Sequence, residues 1–301
     1  MISEIPTWCI IAAMAGPLHT EMLQLATRLA VESGALAINA MGTVRARRKY
    51  DESVVTTTDH AIQDHIVAAI REHFPDHAVV GEETAGDSQH ASQGSHRRYC
   101  WVIDPIDGTR NYVSSFPCFA TSIAVLDRAI PVVAVVREHN TERLVCAIAD
   151  AGTTLNAAPV SLNDSIALTD TIVGVPSSKE PLTVSVVQLL ASARGIVLRD
   201  VGATTVHLSL VASGGLAGAF CQRAKLWDVA AGSLLVKEAG GLITGAFGES
   251  FFPLPLDGDH DQNVPFLAAT PQAHAHLLEF IKPLREKVER SGRRDADISP
   301  E

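Results

Sequence analysis

Residues 101–112, WVIDPIDGTRNY, form an apolar run that ends in Asp104 and Asp107, with Pro105 and Ile106 between them and Gly108-Thr109 directly after. Such a run reads as a buried strand that delivers two acids to its end and then turns sharply. Two carboxylates that close repel each other, and a cation between them removes the repulsion. Gly108-Thr109 is suited to open a helix, whose first N–H groups and positive dipole end favour a phosphate. The pattern points to metal beside phosphate.

Glu82 and Asp228 also stand where an apolar element meets a turn. Taken alone, Asp228 reads equally well as a helix N-cap and Glu82 as a surface acid at a strand end. Together with Asp104 and Asp107 they supply hard oxygen ligands and no soft ones, which suits Mg2+ or Mn2+ rather than zinc. Several carboxylates with magnesium suit phosphate-ester hydrolysis. Asp104 is placed to bridge two ions, and Pro105 fixes the backbone so that the Ile106 carbonyl could face a metal. Thr109 has a hydroxyl suited to orient an attacking water. Asp59 could pull on that hydroxyl if the fold brings the two together.

These residues need elements to carry them. Residues 20–41 have helical periodicity, with Met22, Leu23, Leu25, Ala26, Leu29 and Ala30 as the apolar stripe. Arg45, Arg47, Arg48 and Lys49 follow, either a solvated turn or a mobile loop over an anionic substrate. Thr58-Asp59 opens a second helix, in which Ile62, Ile66, Ile70 and Phe74 mark one face and Pro75 ends it. A short strand at 77–80 leads to Gly81-Glu82-Glu83-Thr84, and residues 85–98 read as a polar surface loop. Runs at 122–126, 132–136 and 144–148 read as antiparallel strands in hairpins. Beyond residue 151 the pattern changes to an α/β half, with strands at 171–175 and 195–199. A helix opens at Trp227-Asp228 and ends at Gly240-Gly241, and a last helix covers about residues 271–288. The expected division is an α+β half over 1–151 with most of the acids, an α/β half over 152–288, and a disordered charged tail over 289–301.

The 301 residues are 47% hydrophobic and 19% charged, ordinary for a globular enzyme, and can hold one large domain or two intimate ones. A net charge of −10 gives no basic surface for a nucleic-acid polymer, though it leaves a nucleotide or sugar phosphate open. The five cysteines are scattered without a CxxC, which fits free thiols in a reducing cytoplasm. The apolar run at 8–16 is too short to span a bilayer and is preceded by Glu4, not by a basic residue. It reads as a core-facing segment or an oligomer contact.

WVIDPIDGTRNYV, with GEET upstream and WDVAAGSLLVKEAGG downstream, resembles the three signature segments of the inositol monophosphatase family, in order and in rough spacing. That superfamily of magnesium-dependent, lithium-sensitive phosphatases also includes the fructose-1,6-bisphosphatases. TTTD around Asp59 and VGATTVHLSLVASGG resemble two further family segments, so the similarity runs from about residue 20 to 285. The resemblance implies a layered αβαβα sandwich, of mixed α+β and α/β character, and a homodimer. It implies a first metal held by Glu82, Asp104 and the Ile106 carbonyl, a second held by Asp104, Asp107 and Asp228, and a weaker third aided by Glu82. It assigns Gly108 and Thr109 to phosphate, and Asp59 and Thr109 to activating water.

One position departs from the family pattern. Where animal inositol monophosphatases place a substrate-binding glutamate seven residues before the final aspartate, this chain has Cys221. A thiol does not accept hydroxyl hydrogen bonds as a carboxylate does, which argues against inositol phosphate as the preferred substrate. Arg223 and Lys225 in the same loop read either as contacts for a second anionic group or as solvated charges. Arg110 could face the substrate or solvent, and Thr204, Ser177 and Ser178 are substrate-side candidates by family position. The expected activity is hydrolysis of a small phosphorylated polyol, sugar or nucleotide by metal-activated water. Its variants are a 3'(2'),5'-bisphosphate nucleotidase, a fructose-1,6-bisphosphatase and a histidinol-phosphate phosphatase. The rival from another class is a non-catalytic metal-binding scaffold.

Overall fold

The computed structural model describes residues 11, 14–44, 46–48, 54–84, 97–162, 171–256 and 262–296. Five layers stack as helices, sheet, helices, sheet, helices. Helices α1 (Pro17–Ala40) and α2 (Thr57–His73) form the first layer. They cover a seven-stranded sheet of order β3-β4-β5-β6-β7-β8-β9. Its strands are β3 (Ala78–Gly81), β4 (Tyr99–Asp107), β5 (Ala120–Asp127), β6 (Ile130–Glu138), β7 (Arg143–Ile148), β8 (Gly152–Leu155) and β9 (Ala158–Val160). Only the β3–β4 pair is parallel. Among the other helices, α3 (Thr109–Val113) follows β4, and α5 (Thr204–Ala212) and α6 (Leu226–Glu238) fill the middle layer.

The second sheet has the order β11-β10-β12-β14-β13. It contains β10 (Thr171–Gly174), β11 (Ile196–Arg199), β12 (Gly218–Cys221), β13 (Leu242–Thr244) and β14 (Phe266–Ala269). Helices α4 (Pro181–Ser192) and α7 (Pro271–Ala296) close its outer face. A two-stranded ribbon, β1 (Ala46–Arg48) with β2 (Val54–Thr56), stands apart from both sheets. This is the αβαβα sandwich expected from the sequence.

Local rules explain the elements that carry the site. Pro17 opens α1, where its missing N–H costs nothing, and Met22, Leu23, Leu25, Ala26, Leu29 and Ala30 bury one face. Thr56 caps α2 reciprocally: its hydroxyl accepts from the Thr58 N–H at 3.1 Å, and its own N–H donates to Asp59 at 2.8 Å. Strand β4 is buried almost end to end because sheet neighbours flank it and helix layers cover both faces. Helix α6 is apolar nearly all round because it lies between two sheets.

Three expectations on organisation need correction. The first sheet runs to Val160, past the boundary placed at 151/152, because β8 and β9 pair back onto β7 and each other. Strands β12, β13 and β14 escaped the sequence reading because each is only three or four residues long and buried ones such as β12 show no alternation. The last helix extends to Ala296, past 288 and into the segment expected to be disordered. Glu, Lys and Arg are good helix formers, so charge without apolar periodicity did not end it. Residues 297–301 lie outside the described residues.

Ala46, Arg47 and Arg48 are exposed on β1, so part of the expected basic loop is a ribbon strand; Arg45 and Lys49 lie outside the described residues. So do residues 85–96 of the polar loop and, in the apolar N-terminal run, Trp8, Cys9 and Ile10. In that run Ile11 is buried in the first core and Met14 is exposed. Among the described residues Cys100, Cys118, Cys146 and Cys221 are all free thiols.

Candidate active site

The acids converge. Asp104 and Asp107 close β4, and Asp228 lies in the first turn of α6, far along the chain. Each of the three offers a carboxylate oxygen within 4.8 Å of the others. Glu82 begins the 3-10 turn after β3, the parallel neighbour of β4, and its charge bears on Asp104, Asp107 and Asp228. Asp104 is buried, and its Oδ1 has no hydrogen-bond partner among the described residues. A buried acceptor without a donor is costly unless a cation supplies the missing charge. An all-oxygen donor set around an orphaned carboxylate oxygen fits a hard divalent ion.

Electrostatics agree with the geometry. Burial, then the Glu82, Asp107 and Asp228 charges, hold the Asp104 carboxyl well above its usual range. Burial first, then Asp107, do the same for Asp228. Asp107 is pushed up to about 6 by burial, against the pull of hydrogen bonds from Thr205. Without a cation this cluster resists full ionisation, and a divalent ion reverses that preference.

Thr109 and Asp59 meet as the sequence reading required. The Thr109 hydroxyl lies 3.0 Å from the Ile106 carbonyl oxygen and 3.4 Å from Asp59 Oδ1. Asp59 is fully buried, and desolvation raises its pKa despite the bonds from Thr56. Gly108 caps α3 at φ +85°, and a Cβ there would stand 2.9 Å from the Cys118 carbonyl oxygen. Only glycine meets both conditions.

Two residues of the site escaped the sequence reading. Thr205 donates its N–H at 2.6 Å and its hydroxyl at 2.7 Å to Asp107 Oδ2. Asn111 Nδ2 donates to the Cys118 carbonyl at 2.6 Å and to the Val201 carbonyl at 2.7 Å, tying α3 to the loop before α5. Their positions in the signature segments were visible, but no local pattern marks a bond across about a hundred residues.

Beside the acids opens a cleft of about 650 Å3 lined by Arg110, Ser177, Ser178, Lys179, Glu180, Thr183, Cys221 and Arg223. Cys221 ends β12, and burial pushes its thiol up to about 12, so it stays protonated. Arg223 pairs with Glu180 at 3.3 Å. Thr204, the first residue of α5, is tied through its side chain to Cys221, which lines the cleft. Lys225 is the N-cap residue of α6, and its N–H donates to Asp228 at 2.7 Å.

The sequence model of the inositol monophosphatase family matches residues 18–285. The chain belongs to the inositol monophosphatase family. This makes it a phosphatase. It is similar to the Nus factor SuhB of Pasteurella multocida, 30% identical over 270 residues that cover 87% of this chain and 96% of that one. It is also similar to the fructose-1,6-bisphosphatase/inositol-1-monophosphatase of Aquifex aeolicus, 31% identical over 237 residues, 76% and 87% of the two chains. Among solved structures, the inositol monophosphatase from Anabaena (Nostoc) sp. PCC 7120 superposes with a TM-score of 0.72 at 26% identity, covering 87% of this chain and 95% of that one. Among the described residues no helix of this phosphatase is long and apolar enough to cross a membrane.

Proposed function

We propose that this phosphatase is a magnesium-dependent phosphomonoesterase acting on a small phosphorylated polyol, sugar or nucleotide that carries a second anionic group. The observation that carries the reading is the orphaned, buried Asp104 oxygen inside a cluster of converging acids. Glu82, Asp104, the Ile106 carbonyl, Asp107 and Asp228 would hold the ions. Bound there, Mg2+ or Mn2+ lowers the pKa of water and neutralises the ester oxygens. The remaining work falls to the chain. Gly108 and Thr109 present the N–H groups of the first turn of α3, which a helix start leaves without an intrahelical acceptor, to the phosphate. The Thr109 hydroxyl orients the attacking water, and Asp59, whose raised pKa makes it a better proton acceptor, draws on that hydroxyl.

The second anion is supported by the cleft lining, in which Arg110, Lys179 and Arg223 are the cations and Arg223 pairs with Glu180. A neutral Cys221 thiol stands where animal inositol monophosphatases place the carboxylate that binds substrate hydroxyls. Homodimeric assembly, lithium inhibition and a cytoplasmic setting come with the same reading and rest on the family and the free thiols alone. Phosphate release from a panel of esters, with Mg2+, Mn2+ or EDTA, tests it. The expected result is metal-dependent hydrolysis with bisphosphates preferred over inositol monophosphates. Failure to hydrolyse any ester with either metal would leave the scaffold reading in its place.

A further inference from the structure

Strand β4 breaks register between Asp104, paired with Ser122, and Asp107, paired with Ala120. Pro105 and Ile106 therefore oppose one residue of β5, Thr121, in a bulge that re-aims the flanking acids. Thr121 is fully buried, and its hydroxyl donates to the Pro105 carbonyl at 2.7 Å. The hydroxyl has one proton and a carbonyl only accepts, so that proton is committed. The contact between Thr121 Oγ1 and His139 Nε2, at 3.0 Å, then requires the imidazole to donate. His139 is thus the Nε2–H tautomer, and its Nδ1, buried, has no partner among the described residues. The ring packs on Phe119 at 5.4 Å, and on its Nδ1 side α1 carries Gly34, where a Cβ would lie 2.6 Å from that nitrogen.

We propose that Thr121, oriented by His139, is a positioning residue for the cation site: it fixes the Pro105–Ile106 peptide so that Asp104, the Ile106 carbonyl and Asp107 face one another across the bulge. The inference rests on the metal-site reading above. The peptide unit is planar, so pinning its Pro105 oxygen sets the plane from which the Ile106 backbone continues. A side chain that pins the ligand-bearing backbone from behind acts as outer-shell partners of metal ligands do. Burial keeps His139 neutral, with its pKa lowered to about 3, so the single N–H persists across the working pH range.

Titration calorimetry with Mn2+, alongside kcat and KM at saturating Mn2+, tests this on the intact chain. Thr121→Val is isosteric and lacks the donor; it should weaken Mn2+ by about tenfold and lower kcat with KM little changed. Thr121→Ser restores the hydroxyl and should return both to within about twofold of the parent. Wild-type Mn2+ affinity in a folded Thr121→Val, or equal losses in the Val and Ser variants, overturns the proposal. Should Thr121→Val not fold, His139→Gln and His139→Leu carry the test. The glutamine keeps an N–H donor and should bind Mn2+ more tightly than the leucine, and equal affinities overturn the proposal. A parent protein that binds neither Mn2+ nor Mg2+ in the same titration overturns this inference and the proposed function together, whereas parent binding with unchanged variants overturns this inference alone.

Discussion

Thr205 gives both its N–H and its hydroxyl to one oxygen of Asp107, at 2.6 and 2.7 Å. Asp107 ends a strand of the first sheet, and Thr205 lies in the first turn of a middle-layer helix. A helix start has N–H groups to spare, and a carboxylate is their best acceptor. The pair locks one wall of the acid cluster to the other half of the molecule and keeps the second Asp107 oxygen oriented.

Thr205→Val removes the hydroxyl bond and keeps the backbone one. A buried charged group that loses one donor costs about 2 kcal/mol, so the melting temperature should fall. Phosphate release at subsaturating Mg2+ should drop by about tenfold and recover in part at high Mg2+, as expected when a partner of a metal ligand is lost. A magnesium titration of the rate reads the effect.

Asp104→Asn should abolish turnover, by about a thousandfold or more, because several kcal/mol of charge stabilisation go with the carboxylate. In EDTA the variant should melt no lower than the parent. Asp104 is a buried acid repelled by Glu82, Asp107 and Asp228, and its removal relieves that repulsion. Added Mg2+ should raise the parent's melting temperature and leave the variant's nearly unchanged. Scanning fluorimetry with and without metal distinguishes this from simple misfolding.

Gly108→Ala meets two obstacles at once. Its φ of +85° is unfavourable to an L side chain, and the new Cβ would press on the Cys118 carbonyl at 2.9 Å. The left-handed conformation alone costs about 1–2 kcal/mol. Denaturant unfolding should show at least that loss, and kcat should fall because Thr109 is the next residue.

His207 provides a pH test away from the acids. Burial lowers its pKa from 6.5 to about 4, and its Nε2 accepts the Val201 N–H at 3.3 Å, which requires the neutral ring. Between pH 6.5 and about 4 the unfolded chain binds the proton that the folded chain refuses. The neutral ring's stability is therefore complete above 6.5 and lost as pH falls toward 4, by about 3 kcal/mol for this one group. In His207→Gln that slope should vanish, so the stability difference between parent and variant should narrow or reverse on acidification. Urea unfolding at pH 7 and pH 4.5 measures it.

The local parts of the site are legible in the chain. The apolar run into Asp104 and Asp107, the Thr56 cap with Asp59, the glycine after the acids and the apolar faces of α1 and α2 are set by neighbours within a few residues, through periodicity, capping and turn chemistry. The signature segments together also fixed the family, and with it the sandwich and the ligand candidates. Tertiary structure alone decided what depends on contacts far apart in the chain. It brought Asp228 to Asp104, set Thr205 on Asp107, placed Thr204 against Cys221, and chose the His139 tautomer through Thr121. It also carried the first sheet past residue 151 and the last helix past 288. A hydrogen bond needs a donor within about 3 Å and in line, and no spacing in the chain encodes which distant donor will arrive.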